Sequence, residues 1–196
     1  MCKQNFNICP GLGGQCRPSD DMCKLSSGGI FLGQFMIQLR IAYRKVEKSM
    51  KITIGSDHGA VQLKEEVKMV LKEYNDIEVT DVGTFGTESV DYPDVAEKIC
   101  ADVVSGKSDR GIALCGTGIG ISIACNKVKG IRCALCNDVY SAKMSRHHND
   151  ANVLAMGGRV TGFGPAGEIV RAWVETDFDG GRHERRVNKI MALEKK

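Results

Sequence analysis

From Met50 onward the chain alternates short apolar runs with stretches of helical periodicity, and that alternation leaves few folds open. The runs "KITIG" (51–55), "IEVTDVG" (77–83), "GIALC" (111–115), "IRCALC" (131–136) and "NVLAMGG" (152–158) read as strands. Between and after them, residues 60–74, 91–106, 120–128, 138–148 and 165–175 carry apolar positions at helical spacing, and a polar helix begins at about 183. Pro93 is tolerated in the first turn of its helix and Gly106 marks the end of it. Strands this apolar are expected to be buried on both faces, as in a parallel sheet. The expected fold is therefore α/β: three α/β/α layers around a five-stranded parallel, Rossmann-like sheet.

Residues 1–49 read differently. "CPGLGGQCRPSDDMCKLSSGG" is polar and turn-forming, and Pro10, Gly11, Gly13, Gly14 and Pro18 prevent the cysteines at 2, 9, 16 and 23 from forming a coiled-coil seam. "IFLGQFMIQLRIAYRKVEK" is compatible with a short amphipathic helix, but Asp20 and Asp21 and its late position fit poorly with a targeting peptide. The expected organisation is an irregular N-terminal extension, disordered or non-conforming, over 1–49 and one α/β domain over 50–196.

Charge follows the same division. Residues 1–49 hold seven basic and three acidic side chains, net +4, which leaves the body at −1. A near-neutral body argues against nucleic acid as partner, and no apolar run is long enough for a membrane span. The five body cysteines lie mostly on apolar runs and read as reduced thiols of a cytoplasmic core. Cys133 and Cys136, three apart on a strand, point to opposite faces, so no shared metal is expected.

In open parallel sheets ligands bind beyond the carboxyl ends of the strands. There the sequence places "SDHG" (56–59), "CGTGIG" (115–120) and "GGR" (157–159), with "RHHND" (146–150) closing the fourth helix. A dinucleotide fingerprint fails at Ile121, where its third glycine belongs, although Asp138 stands about where a ribose-binding acid would. A P-loop fails because no Lys-Ser/Thr follows the glycines. The alternative use of such a loop is to stabilise an oxyanion with backbone N–H groups, and the same field favours the thiolate of Cys115. A base beside an oxyanion hole is the equipment for removing a proton alpha to a carbonyl. His58, His147, His148 and His183 fall in loops or at element ends, none with metal-ligand spacing. Arg159, Arg182 and Arg186 offer guanidinium forks suited to a phosphate.

The segments "SDHGA", "DVGT", "DYPD", "LCGTGIGISIACNK", "GIRCAL", "YSAKMSRHHNDANVLAMGGRV" and "GGRHERRV" closely resemble the type B ribose-5-phosphate isomerases. That sugar-phosphate isomerase family also holds galactose-6-phosphate isomerase subunits and an allose-6-phosphate isomerase. The resemblance runs from Met50 to about Leu193. It implies isomerisation between ribose 5-phosphate and ribulose 5-phosphate, without metal or other cofactor, in a cytoplasmic homodimer with active sites at the interface. A dimer of dimers stays open.

By motif, the resemblance makes Cys115 the base that shuttles a proton through an enediolate, with Thr117 near the reacting carbons. The backbone of Gly116, Thr117, Gly118, Ile119 and Gly120 would hold the oxyanion. His148 would protonate the ring oxygen to open the furanose, and Asn149 would contact the sugar. Asp57 and His58 would bind the open chain or its phosphate end, Tyr92 would line the pocket, and Arg159, Arg182 and Arg186 would grip the phosphate. One branch of the family uses a glutamate base just after the loop; that place is Ile121 here, which puts the chain in the cysteine branch. Two other readings remain: an isomerase of a six-carbon sugar phosphate, or a non-catalytic phosphosugar or dinucleotide binder.

Overall fold

The computed structural model describes residues 49–195, so the reading of 1–49 as an extension lies, but for Ser49, outside the described residues. The strands are β1 (Met50–Ser56), β2 (Ile77–Asp81), β3 (Arg110–Cys115), β4 (Cys133–Leu135) and β5 (Val153–Gly157). The helices are α1 (Val61–Leu71), α2 (Tyr92–Val104), α3 (Ile119–Cys125), α4 (Val139–Asn149), α5 (Phe163–Glu175) and α6 (Arg182–Leu193). All five strands pair in parallel, in the order β2-β1-β3-β5-β4. This is the expected three-layer architecture.

Alternation along each strand splits the core in two. Ile52, Ile54, Ile112, Leu114, Leu154 and Met156 face α1, α4 and α5, where Trp173 is the largest buried side chain. Ala113, Cys115, Val153 and Ala155 face α2 and α3. The same alternation separates the two cysteines three apart, with Cys136 in the first cluster and Cys133 against the second. α6 packs on α4, outside the two layers.

Two strands are shorter than their apolar runs. β4 is an edge strand, and the Asn126 side chain both accepts from Cys133 N and donates to Cys133 O at 2.9 Å. A side chain thus blunts an edge that would otherwise template further pairing. β2 stops at Asp81, and the chain then follows β1 through Val82 N to Ile54 O and Thr84 N to Ser56 O, both 2.9 Å.

The amino edge of the sheet is fixed by buried arginines. Arg110 donates to the Trp173 and Val174 carbonyls at 3.0 and 3.1 Å, satisfying orphan acceptors at the end of α5. Arg146 donates to Ala151 O at 2.6 Å and pairs with Asp150 at 2.8 Å, which anchors the turn that ends α4.

Candidate active site

The chain order reverses direction between β1 and β3, the neighbours from which the sheet grows outward both ways. That switch point is where a parallel sheet opens a crevice at its carboxyl edge. Gly118 makes the turn there. It sits at φ 78°, and a Cβ would stand 2.5 Å from Leu135 Cδ1 and 2.8 Å from the Met156 carbonyl carbon. Only glycine meets both demands. Its N–H donates to Cys115 Sγ at 3.1 Å, so the sulfur is held as an acceptor while only 4 % exposed. Thr117, exposed at the loop tip, accepts from Ile119 N at 3.3 Å through Oγ1.

Other groups converge on this loop. Asp57 follows β1 and accepts from Gly59 N at 2.8 Å; the Gly59 backbone lies against that of Gly116. His58 Nδ1 accepts from Val90 N at 3.3 Å. Arg159, after β5, lays its side chain over Gly116, and its own N–H donates to Gly116 O at 2.9 Å. Tyr92, the first residue of α2, covers Gly120 so closely that a Cβ there would stand 2.7 Å from its ring. Asp57, His58, Tyr92, the 115–120 loop and Arg159 therefore form one site at the carboxyl edge.

The remaining candidates lie elsewhere. In the β3–β5 register, Cys115 pairs with Gly157 at one end and Gly111 with Val153 at the other; α4 ends just before Val153. His148 and Asn149 thus stand at the amino edge, on the order of 13 Å from Cys115 along the strands, at about 3.3 Å per residue. The sequence reading had set "RHHND" with the pocket side; a helix returning antiparallel to its strand carries its carboxyl end away from it. Arg182 and Arg186 lie on the same amino edge, exposed on α6.

This second cluster has its own order. The rings of His148 and His183 stack at 4.2 Å, 1° from parallel. His183 lies at an element end, as the sequence reading has it, yet is only 7 % exposed, packed against α4. Burial, then the charges of His148, Arg182 and Arg186, push its pKa below the usual 6.5. Asp179, which sequence reasoning missed, pins the approach to α6 by donating its N–H to His147 O (3.1 Å) and pairing with His147 Nδ1 (2.7 Å). His148, Asp179 and His183 bring one ligand-type atom each within 4.8 Å of one another. Arg182 Nε donates to His183 Nε2 at 3.2 Å, however, so that lone pair is engaged and the surrounding charge suits an anion better than a cation.

Among the described residues, the other cysteines have no such setting. Contact with the Cys125 thiol and then burial raise the Cys100 pKa, and burial pushes Cys136 up to about 11. Asp138, the candidate ribose-binding acid, instead caps α4: it accepts from Ser141 N and Ser141 Oγ at 2.7 Å each, and these bonds hold its carboxyl below the usual range. A cavity of about 590 Å³, lined by Val128, Ile131, Cys133, Asn149, Ile190 and Leu193 among others, runs beside edge strand β4 and away from the Cys115 loop.

Residues 52–190 match the family model described as Ribose/Galactose Isomerase. A Bacillus subtilis protein described provisionally as a sugar phosphate isomerase is 55 % identical over 148 residues, 75 % of this chain and 99 % of that one. Ribose-5-phosphate isomerase B of Escherichia coli is 48 % identical over 146 residues, 74 % of this chain and 97 % of that enzyme. Among solved structures, ribose-5-phosphate isomerase B of Clostridium thermocellum superposes with a TM-score of 0.72 at 57 % identity, covering 74 % of this chain and 98 % of that one. The chain belongs to the ribose/galactose isomerase family.

Proposed function

We infer that this member of the family interconverts ribose 5-phosphate and ribulose 5-phosphate, an aldose–ketose isomerisation of the type B class. The observation that carries the reading is the Cys115 sulfur, held by a backbone N–H inside a glycine loop at the switch point of the sheet. Asp57, His58, Tyr92 and Arg159 surround it with the polar groups that an open-chain phosphosugar requires. Cys115 takes the proton from C2 of the open-chain aldose, the loop amides of 116–120 stabilise the enediolate oxygen, and the proton returns at C1. Thr117 stands beside the reacting carbons.

The ring must open before that step, and the donor is His148, which protonates the ring oxygen. Within one chain it lies at the wrong edge of the sheet. The site is therefore composite: a second copy of the chain brings His148, Asn149, Arg182 and Arg186 to the Cys115 loop of the first, in a homodimer with two equivalent sites. The cavity beside β4, apolar for most of its lining and reaching Asn149, supports an interface on that side.

Residues 50–196 make up the catalytic domain, and 1–49 are an extension that turnover does not need. The free thiols of the body and a water-soluble substrate support a cytoplasmic location. Among the described residues no helix is long and apolar enough to cross a membrane.

A coupled assay of ribulose 5-phosphate formation, run beside allose 6-phosphate and repeated on protein beginning at Met50, tests the reading. Turnover of ribose 5-phosphate in both forms is expected. A preference for the six-carbon sugar, or binding of ribose 5-phosphate without conversion, contradicts it.

A further inference from the structure

Lys64 lies in the middle of α1 on its buried face, between Leu63 and Val67, and is 0 % exposed. A buried ammonium costs several kcal/mol, at least about 3, unless it is paired and hydrogen-bonded, and an apolar side chain would serve the core at least as well. What an apolar side chain cannot do is hold a carboxylate and a carbonyl. Lys64 Nζ donates to Asp81 Oδ1 at 3.0 Å and to the Thr84 carbonyl at 2.8 Å, and it lies 4.2 Å from the centroid of the Phe85 ring. All three partners belong to the end of β2 and the start of the segment 82–91.

That segment leads into the site. Its root follows β1 through the Val82 and Thr84 N–H groups, and Gly83 N also donates to Asp81 Oδ1 at 3.1 Å. Its tip, residues 85–89, is exposed, with Phe85 73 % accessible. It returns to the site with the Val90 N–H on His58 Nδ1, and Tyr92 then begins α2 above Gly120. A backbone N–H can only donate, so His58 Nδ1 must be the bare nitrogen and a neutral ring carries its proton on Nε2.

We propose that Lys64 is a positioning residue for this site: it fixes the root of segment 82–91, whose far end commits His58 Nδ1 and presents the Nε2–H to the phosphosugar. The proposal rests on the reading that His58 touches substrate. Lys64 acts from below the sheet edge and contacts no reacting atom. Where His58 binds the phosphate end of the sugar, remote from the proton transfer, its loosening weakens ground state and transition state alike and appears in KM.

The test uses the full chain in four forms: wild type, Lys64→Met, Val90→Pro and the double variant. Methionine keeps the length of the apolar stem without the ammonium, and Lys68, 2.8 Å from Asp81 Oδ2, keeps the carboxylate paired. Val90→Pro removes the N–H that His58 accepts without touching the core. Ring ¹⁵N shifts of His58 are expected to report the Nε2–H tautomer in wild type and a mixture in both single variants. KM for ribose 5-phosphate is expected to rise roughly tenfold in each single variant, with kcat within about threefold, and the double variant to add little beyond either. An unchanged His58 tautomer in Lys64→Met, or additive KM effects in the double variant, overturns the proposal. Where Lys64→Met yields no folded protein, Val90→Pro with wild-type tautomer and KM overturns it equally. A wild type that binds but does not convert ribose 5-phosphate would count against the proposed reaction, while the tautomer comparison would still decide the role of Lys64.

Discussion

The two edges of the sheet carry different halves of the candidate residues and are built by different means. At the carboxyl edge the groups are placed by backbone: a left-handed Gly118, a sulfur accepting an amide, and Asp57 folded onto Gly59 N. At the amino edge they are placed by side chains on two helix ends: stacked imidazoles, an Asp179 carboxylate on His147, and a guanidinium on His183. Backbone placement gives the precision that an oxyanion site needs. Helix-end placement suits groups that must reach a substrate held by another copy of the chain. On the proposed composite site, the contrast is why a full set of candidate residues in one sequence does not make a complete site in one fold.

The largest expected effect falls on the carboxyl edge. Cys115→Ser should lower turnover of ribose 5-phosphate by about 10³-fold or more, in the range of a lost general base, while calorimetry finds phosphosugar affinity within about threefold. A variant that retains a tenth of the activity would move the base elsewhere. Next comes Gly118→Ala. Positive φ alone costs about 1–2 kcal/mol and the contacts with Leu135 and Met156 add overpacking, so thermal or urea unfolding should show a loss of about 2–4 kcal/mol. A stable, active Gly118→Ala would mean that the turn is less rigidly made than the geometry indicates.

The amino edge should respond in KM. If Arg186 grips the phosphate as proposed, steady-state kinetics of Arg186→Ala should show KM raised roughly tenfold with kcat little changed, the loss of about 1.4 kcal/mol of uniform binding. An effect confined to kcat would give Arg186 a different task.

The smallest effect concerns pH. The folded pKa of His183 lies below its ordinary 6.5, so the unfolded chain binds the proton more readily and stability falls as pH drops from about 6.5 through the lower folded value. Amides of α6 should lose hydrogen-exchange protection between pH 7.5 and 5.5 relative to those of α1, and His183→Gln should flatten the difference. Equal protection at both pH values would show that the histidine stack does not hold α6.

The carboxyl edge was the more legible of the two in sequence. A strand followed by "CGTGIG" announces a glycine loop whose backbone N–H groups can hold an anion, and period-two alternation sets Cys133 and Cys136 on opposite faces. The amino edge was misplaced because "HND" after a helix looks, as text, like "SDHG" after a strand. Only the antiparallel return of a helix over its strand separates them. Asp179 and Lys64 escaped notice for a related reason. An aspartate in "TDFDGG" and a lysine in "LKEEVK" carry no local signal, since their partners are distant in sequence. Asp138 illustrates the converse: its spacing suggested a ligand role, and its side chain is occupied as a helix cap.

Mixing Cys115→Ser with His148→Asn, each expected to be inactive alone, tests the composite site most directly. If each site takes its thiol from one copy and its imidazole from the other, a mixed dimer holds one intact site. Dissociating and reassociating equal amounts should then restore about a quarter of wild-type specific activity, since half the dimers are mixed and half their sites are whole. No recovery, with mixed dimers verified by mass, would place both groups in one protomer and contradict the account.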